Sequence, residues 1–143
     1  MATTNTYLHF DGNCEEAFNF YKSVFDGEFN YVGRYEEVPE SDDYKVPEKD
    51  KNKIMHVSLP IGESILMGSD NLEAYGNSFV KGDNFSVSIT AETKEEADRI
   101  FNSLSVNGQV TMPMNDTFWG DYFGMLVDKF GIQWMMSYNE NQQ

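Results

Sequence analysis

His9 and His56 are the only two imidazoles in this 143-residue chain, and they hold most of its capacity for proton exchange near neutral pH. Asn5, Thr6, Tyr7, Leu8, His9, Phe10 and Asp11 alternate as a half-buried strand does. If Leu8 and Phe10 pack inward, Tyr7 and His9 face a ligand; a slip of one residue exchanges the two pairs. His56 shares its predicted strand face with Ser58, opposite Met55, Val57 and Leu59. Two imidazoles make neither a metal centre nor a triad, and no carboxylate is assigned to orient them. They read either as histidines satisfied by hydrogen bonds within the fold, with no chemistry, or as hydrogen-bonding or acid–base contacts to a polar group on a ligand. Cys14 is the single thiol. It falls in the first turn of a predicted helix, where the dipole favours a thiolate, but the reading preferred is a small side chain filling the seam between helix and sheet.

A second set of candidates lies in the C-terminal half. Ser86 and Ser88 offer hydroxyls from one strand face, and Gln133 with Met135 meets them from the last strand. Trp119, Tyr122 and Phe123 cluster beside Gly120 and Gly124, glycines that let a backbone bend around something bulky. They read first as core packing or a dimer seam, and alternatively as an aromatic wall for a flat or apolar ligand. Met112, Met114, Met125, Met135 and Met136 add adaptable, polarisable surface nearby. The expected ligand contacts are Tyr7, His9, His56, Ser86, Ser88, Trp119, Phe123, Gln133 and Met135, with no catalytic residue assigned.

These residues are carried by one supersecondary unit written twice. Asn13, Glu15, Glu16 and Ala17 recur 80 positions later as Thr93, Glu95, Glu96 and Ala97, and Phe20, Tyr21 and Val24 are matched by Ile100, Phe101 and Leu104. Asn13 with Glu16, and Thr93 with Glu96, place a capping side chain at N-cap and a carboxylate three residues on, starting helices over 14–25 and 94–105. Apolar positions 17, 20, 21 and 24, and again 97, 100, 101 and 104, give each helix one stripe to lay on a sheet. Strands are predicted over 5–11, 28–36, 54–60 and 64–69, then over 85–91, 109–114, 122–128 and 132–138. Gly27 and Gly108 end the helices, while Gly62 and Gly131 turn hairpins.

The hairpin glycines stand 69 apart and the helices 80 apart, so the first copy holds eleven more residues, placed in the polar, proline-bearing loop 37–53. A loop of that length is a candidate lid. The fold class is therefore α+β: two βαβββ modules form an eight-stranded incomplete barrel or cleft, with one main helix each. Module one covers about 1–70, a linker about 71–83 and module two about 84–143 of a single domain. A cleft between two similar halves is the natural place for a ligand.

Hydrophobic residues make up 40% of the chain and aromatics 15%, enough for a core at this length without staples. A formal charge of −14 with only ten Lys and Arg leaves no basic surface to neutralise phosphates. Nucleic acid and anionic membranes are accordingly not expected as partners. With one cysteine, no secretory N-terminal pattern and no run near the ~18 apolar residues of a membrane span, the cytoplasm is the expected location.

Several segments carry a family resemblance: Tyr7-Leu8-His9-Phe10-Asp11-Gly12-Asn13, Phe20-Tyr21 with Val24-Phe25, Ile54-Met55-His56, and Leu66-Met67-Gly68-Ser69-Asp70. Val110-Thr111-Met112-Pro113, Thr117-Phe118-Trp119-Gly120 and the run from Phe123 to Met135 extend it to the other end. Together they resemble the vicinal oxygen chelate superfamily, which includes glyoxalase I, bleomycin-resistance proteins and extradiol dioxygenases, and within it the PhnB-like branch. In metal-dependent members a divalent ion is held from the first and last strands of each half, positions that correspond here to about Thr6, Leu66, Ser86 and Met135. Two residues either side of each contain no His, Asp, Glu or Cys. Hydroxyls, amides and thioethers do not retain Zn, Ni, Fe or Mn, so a metal-free cleft with no cofactor is expected.

Sequences of this type often carry a demethylubiquinone methyltransferase-like label. A nucleotide-type cofactor on a doubly wound sheet needs closely spaced glycines after the first strand, and no two glycines here are separated by a single residue. The missing ligand residues lead us to expect a metal-independent protein that binds a small, partly apolar or aromatic molecule; the resemblance implies sequestration of the kind bleomycin-resistance proteins perform, and a homodimer. The alternatives are a metal-dependent lyase, isomerase or dioxygenase of glyoxalase type using His9 and His56, and a dimeric interaction module without ligand.

Overall fold

The computed structural model describes residues 1–41, 45–75 and 78–141, and the chain divides into two compact units, Met1–Val80 and Lys81–Gln143. Unit one runs β1 (Thr6–Phe10), α1 (Cys14–Phe25), β2 (Tyr31–Arg34), β3 (Ile54–Ile61) and β4 (Ser64–Asp70). Its strands lie in the order β1-β4-β3-β2, with β1 and β4 parallel and the other pairs antiparallel. Unit two repeats the plan: β5 (Val87–Thr90), α2 (Lys94–Leu104), β6 (Gln109–Asp116), β7 (Tyr122–Val127) and β8 (Gln133–Tyr138), ordered β5-β8-β7-β6. The fold is α+β with two βαβββ modules, as the duplicated sequence requires. No described helix is long and apolar enough to cross a membrane.

In unit one, α1 buries Cys14, Ala17, Phe18, Tyr21 and Val24 over strand residues Leu8, Phe10, Val57, Leu59 and Leu66, all buried. Gly68 makes room for that packing, since a Cβ there would lie 2.5 Å from Phe18 Cε1. In unit two, α2 buries Ala97, Ile100, Phe101 and Leu104, while Leu126, Trp134 and Met136 are buried beneath it. Gly124 has the matching role: a Cβ there would come within 2.9 Å of Phe101 Cε2. The expectation that Gly124 bends the backbone is corrected; of the two glycines only Gly120 takes a left-handed turn, at φ +102°.

Helix starts differ between the copies. Thr93 caps α2 as expected, its Oγ1 accepting from Glu96 N at 3.0 Å. Glu96 reaches one residue beyond the cap, accepting from Glu92 N at 2.9 Å. Asn13 makes no side-chain cap; instead Asp70, across on β4, accepts from Gly12 N at 3.0 Å and Cys14 N at 2.9 Å through Oδ1. At the end of α1 the left-handed residue is Asp26 rather than Gly27.

The predicted strand 28–36 contracts to Tyr31–Arg34, because the ladder shifts register between Gly33 and Arg34. The chain then turns through Tyr35–Glu37 and carries Tyr35 inward, where its hydroxyl donates to the Asp70 carbonyl at 2.8 Å. Of the loop 37–53, residues 42–44 lie outside the described residues. Its second half is anchored by a turn at Glu48–Asp50 and by Val46, which packs with Tyr35 and Leu72 against Val38 and Met55. The linker 71–83, whose residues 76 and 77 lie outside the described ones, is likewise tied to unit one by Leu72 and by Asn71 N donating to Phe10 O at 2.6 Å. β5 begins at Val87, leaving Ser86 just outside it, and β6 continues to Asp116.

Candidate functional site

In unit one the ladder registers sort side chains onto two faces. Tyr7 stands opposite Met67, Met67 opposite Ser58 and Ser58 opposite Tyr31, while His9 is opposite Ser69 and Gly33 opposite His56. The intervening row, Leu8, Gly68 and Val57, lies under α1. Tyr7, His9 and His56 therefore share the helix-free face, in the register anticipated from Leu8 and Phe10. Their rings form a file across three strands. Tyr7 sits 5.1 Å from His9 and 5.6 Å from His56 between centroids, the latter pair tilted by only 30°. Tyr31 follows, 5.9 Å from His56. The Tyr7 hydroxyl and His56 Nδ1 are hydrogen-bonded at 3.1 Å, which fixes one ring against the other. Gly33 lets Tyr31 fold over the sheet, because a Cβ there would collide with the Tyr31 hydroxyl. Tyr7 is 38% exposed and Tyr31 46%, so the file presents ring surface and polar edges to solvent.

In unit two the helix-free face carries Ser88, Met135, Met125 and Met112 in one row, and Thr90, Ser137, Phe123 and Asn115 in the next. Trp119 lies in the β6–β7 turn, packed edge-on against Phe123 at 5.8 Å, with its Nε1 donating to Asp121 Oδ2 at 3.0 Å. It is half exposed, and neighbouring Phe118 is 98% exposed. Gln133 is engaged otherwise than expected: its side-chain amide donates to the Phe85 carbonyl at 2.5 Å, fastening the approach to β5. Ser86 stands at the edge of this face, outside the strand. Tyr122 belongs to the opposite side, donating to Asp98 of α2 at 2.6 Å. That bond to a carboxylate, helped by burial, pushes its phenol up to about 12. Ser88, Met135, Phe123 and Trp119 thus gather in unit two, as Tyr7, His9 and His56 do in unit one.

Three residues escaped the sequence reading. Tyr31 completes the ring file, and its only sequence signal was an aromatic in a strand. Asp70 accepts a third backbone bond, from Ile54 N at 2.9 Å through Oδ2. Asp128 in unit two also accepts three bonds, holding its own hairpin: from Phe130 N and Ile132 N at 2.8 and 3.0 Å and from Trp134 Nε1 at 2.8 Å. Neither carboxylate is open to a ligand, since both are buried. Cys14 is buried in the seam between α1 and the sheet, and burial, with the Asp70 and Glu15 charges adding, pushes its thiol well above the ordinary range.

Thr6 and Leu66, two of the positions that the resemblance matches to metal ligands, turn away from the helix-free face. Thr6 pairs with Leu66, and Leu66 is buried in the row beneath α1, so neither faces outward with Tyr7 and Met67. Those outward neighbours, a phenol and a thioether, are no better suited to Zn, Mn, Fe or Ni. Among the described residues, no three of His, Cys, Asp and Glu are grouped to hold a metal ion. Thr6, Leu66 and their outward neighbours thus offer no carboxylate, imidazole or thiolate to a divalent metal.

A family described as 3-demethylubiquinone-9 3-methyltransferase matches residues 2–137. Protein PA1353 from Pseudomonas aeruginosa is 39% identical, with a TM-score of 0.80, over 97% of this chain and 98% of that one. A PhnB protein from Bacillus cereus is 30% identical with a TM-score of 0.74, over 96% and 99%. Protein YjdN of Escherichia coli (strain K12) is 30% identical across 95% of both chains. A glyoxalase/bleomycin resistance protein/dioxygenase family enzyme from Burkholderia phytofirmans PsJN, 17% identical with a TM-score of 0.63 over 94% of this chain and 98% of that one, shares the fold. Matched over nearly its whole length, the chain belongs to the family described as 3-demethylubiquinone-9 3-methyltransferase, the PhnB-like branch of the vicinal oxygen chelate superfamily.

Proposed function

We propose that this protein binds a small, partly apolar or aromatic molecule without the help of a divalent cation. The observation that carries the reading is the file His9, Tyr7, His56 and Tyr31 on the exposed, helix-free face of unit one. Burial does not account for rings left half open to water. A planar ligand laid on such rings gains about 0.5–1.5 kcal/mol per aromatic contact beyond area burial. The hydroxyl and imidazole edges supply hydrogen bonds that orient it. No carboxylate stands in the file to hold either histidine as a general base, which favours binding over turnover. The family's description names a methyl transfer, but each sheet here has a single parallel pair, unlike the doubly wound parallel sheet on which a nucleotide-type cofactor sits. Phe123, Trp119 and Met135 of unit two are assigned to the same apolar type of contact, Ser88 to a hydrogen bond through its hydroxyl, and Ser86 and Gln133 to the margin.

A thermal-shift screen of aromatic and amphipathic compounds, run with EDTA, tests this. A ligand at 100-fold its dissociation constant stabilises by about 2.7 kcal/mol. Hits are expected, and the strongest should lose at least tenfold in affinity in Tyr7→Ala and in His56→Ala. An empty screen, or hits that need an added divalent ion, would overturn the proposal.

A further inference from the structure

β6 meets β7 through two irregularities within eight residues. Val110 stands opposite Leu126 and Met112 opposite Met125, so two steps on β6 answer one on β7. In a regular ladder Thr111 would face Met125, and Met112 would point to the helix side. The extra residue turns Met112 to the helix-free face instead, the kind of re-aiming that bulges perform beside functional sites. Asn115 opposite Phe123 then sets three steps against two. That second adjustment leaves Met114 on the other side, its sulfur 2.6 Å from where a Cβ on Gly124 would be.

The result is a row. Met112 is opposite Met125, Met125 opposite Met135, and Met135 opposite Ser88. Three thioethers come from three adjacent strands, closed by one hydroxyl. Opposed residues hold their Cβ atoms about 4.5–5.5 Å apart, a gap that two methionine arms with three rotatable bonds each can close on a shared ion. Met112 is 43% exposed, so solvent reaches the row from its β6 end. Leu or Val would serve for packing alone; what the thioether adds is a soft, neutral donor that needs no deprotonation.

We propose that this row binds one soft monovalent cation, Cu(I) or its redox-inert surrogate Ag(I). Thioether donors select such ions over Zn, Mg and Ca, and a net charge of −14 raises the local concentration of any cation. The site is separate from the ring file of unit one; it shares Met135 and Ser88 with the unit-two contacts proposed above, and its test uses the metal ion alone, so either reading can fail without the other.

Titrating the whole protein with Ag(I) in chloride-free buffer tests the site, followed by NMR of methionine labelled with 13C in the methyl group. The methyls of Met112, Met125 and Met135 should shift together and saturate at one equivalent, while the other five of the eight methionines stay in place. Met125→Leu, close to its parent in volume, should keep the fold and lower the affinity at least tenfold. Cys14→Ala, which removes the only thiol, and Met67→Leu should both bind as the parent does. Cu(I) under ascorbate with a competing chelator should give the same order among the variants. Shifts spread over all eight methionines, unchanged binding in Met125→Leu, or loss of binding in Cys14→Ala would each overturn the proposal.

Discussion

Replacing Asp70 by Asn tests how unit one is held together. The carboxylate is buried and accepts three backbone N–H groups: Gly12 at 3.0 Å, Cys14 at 2.9 Å and Ile54 at 2.9 Å. An amide has one acceptor oxygen. In its better orientation that oxygen keeps Gly12 and Cys14, and the NH2 group is set against the Ile54 N–H, donor facing donor. One charge-assisted bond is lost, a contribution of about 1.5–3 kcal/mol, and buried donors left without acceptors cost about 1–3 kcal/mol each. The two retained bonds weaken as well, because their acceptor is no longer charged. Asp70→Asn should therefore destabilise by about 3–5 kcal/mol, a large part of the 5–15 kcal/mol by which domains are typically stable. With a urea slope of roughly 2 kcal/mol/M, the unfolding midpoint should fall by roughly 1.5–2.5 M at unchanged slope. The amides of Gly12, Cys14 and Ile54 should also lose protection from hydrogen exchange. A midpoint within about 0.5 M of the parent, with those amides still protected, would refute the reasoning, since the three donors would then be satisfied elsewhere.

The remaining predictions concern single contacts. Tyr7→Phe removes the hydroxyl bonded to His56 Nδ1 at 3.1 Å; at this exposed site stability should change by no more than about 1 kcal/mol, while the two ring nitrogens of His56 change their 15N shifts, and unchanged shifts would remove the bond. Tyr122 has a folded-state value raised to about 12 against the ordinary 10.0, so its contribution is complete below pH 10 and is lost as pH climbs toward 12. Absorbance at alkaline pH should show one tyrosine ionising late, and that late step should vanish in Tyr122→Phe. Gly68→Ala drives a Cβ to 2.5 Å from Phe18 Cε1 and should destabilise by about 1–3 kcal/mol through overpacking; a neutral result in urea unfolding would mean that α1 slides freely on β4.

Periodic features were legible without coordinates. The helices at 14–25 and 94–105 were readable because apolar stripes repeat locally, and the βαβββ order because turn residues separate alternating runs. Tyr7 and His9 were placed on the correct side because Leu8 and Phe10 had to pack somewhere. Non-local tethers were not legible. Asp70 lies 58 residues from Gly12 and 56 from Cys14, and a buried aspartate ending a strand looks like any turn-forming aspartate until its donors are seen. The length of β2 failed for the same reason: Tyr35 reads as a strand aromatic, yet its hydroxyl is claimed by the Asp70 carbonyl. The bond from Gln133 to the Phe85 carbonyl was not legible either, because alternation gives a side chain its face but says nothing of a backbone carbonyl within its reach.

The two halves are repeats with different spacings, and that difference explains where their sites diverge. The helices repeat at 80, but Leu8 and Phe10 match half-buried Ile89 and buried Ala91 on the helix side of the first strand, an offset of 81. The first copy has three residues between Phe10 and Cys14, and the second has two between Ala91 and Lys94. Gly12, at φ +101°, sits in the longer turn. Lengthening it displaces the capping residue: Thr93 bonds the α2 backbone, whereas Asn13 does not bond α1. The orphan N–H groups of α1 turn to Asp70 instead, and a helix cap becomes a tether between β4, β3 and the start of α1. With the offset at 81, Tyr7 is the counterpart of Ser88 and His9 of Thr90, and each of the first-named pair stands opposite a methionine, Met67 or Met135. The inner faces have stayed interchangeable because each must pack a helix. The helix-free faces pack no helix, and there one copy carries a file of rings and the other a row of thioethers.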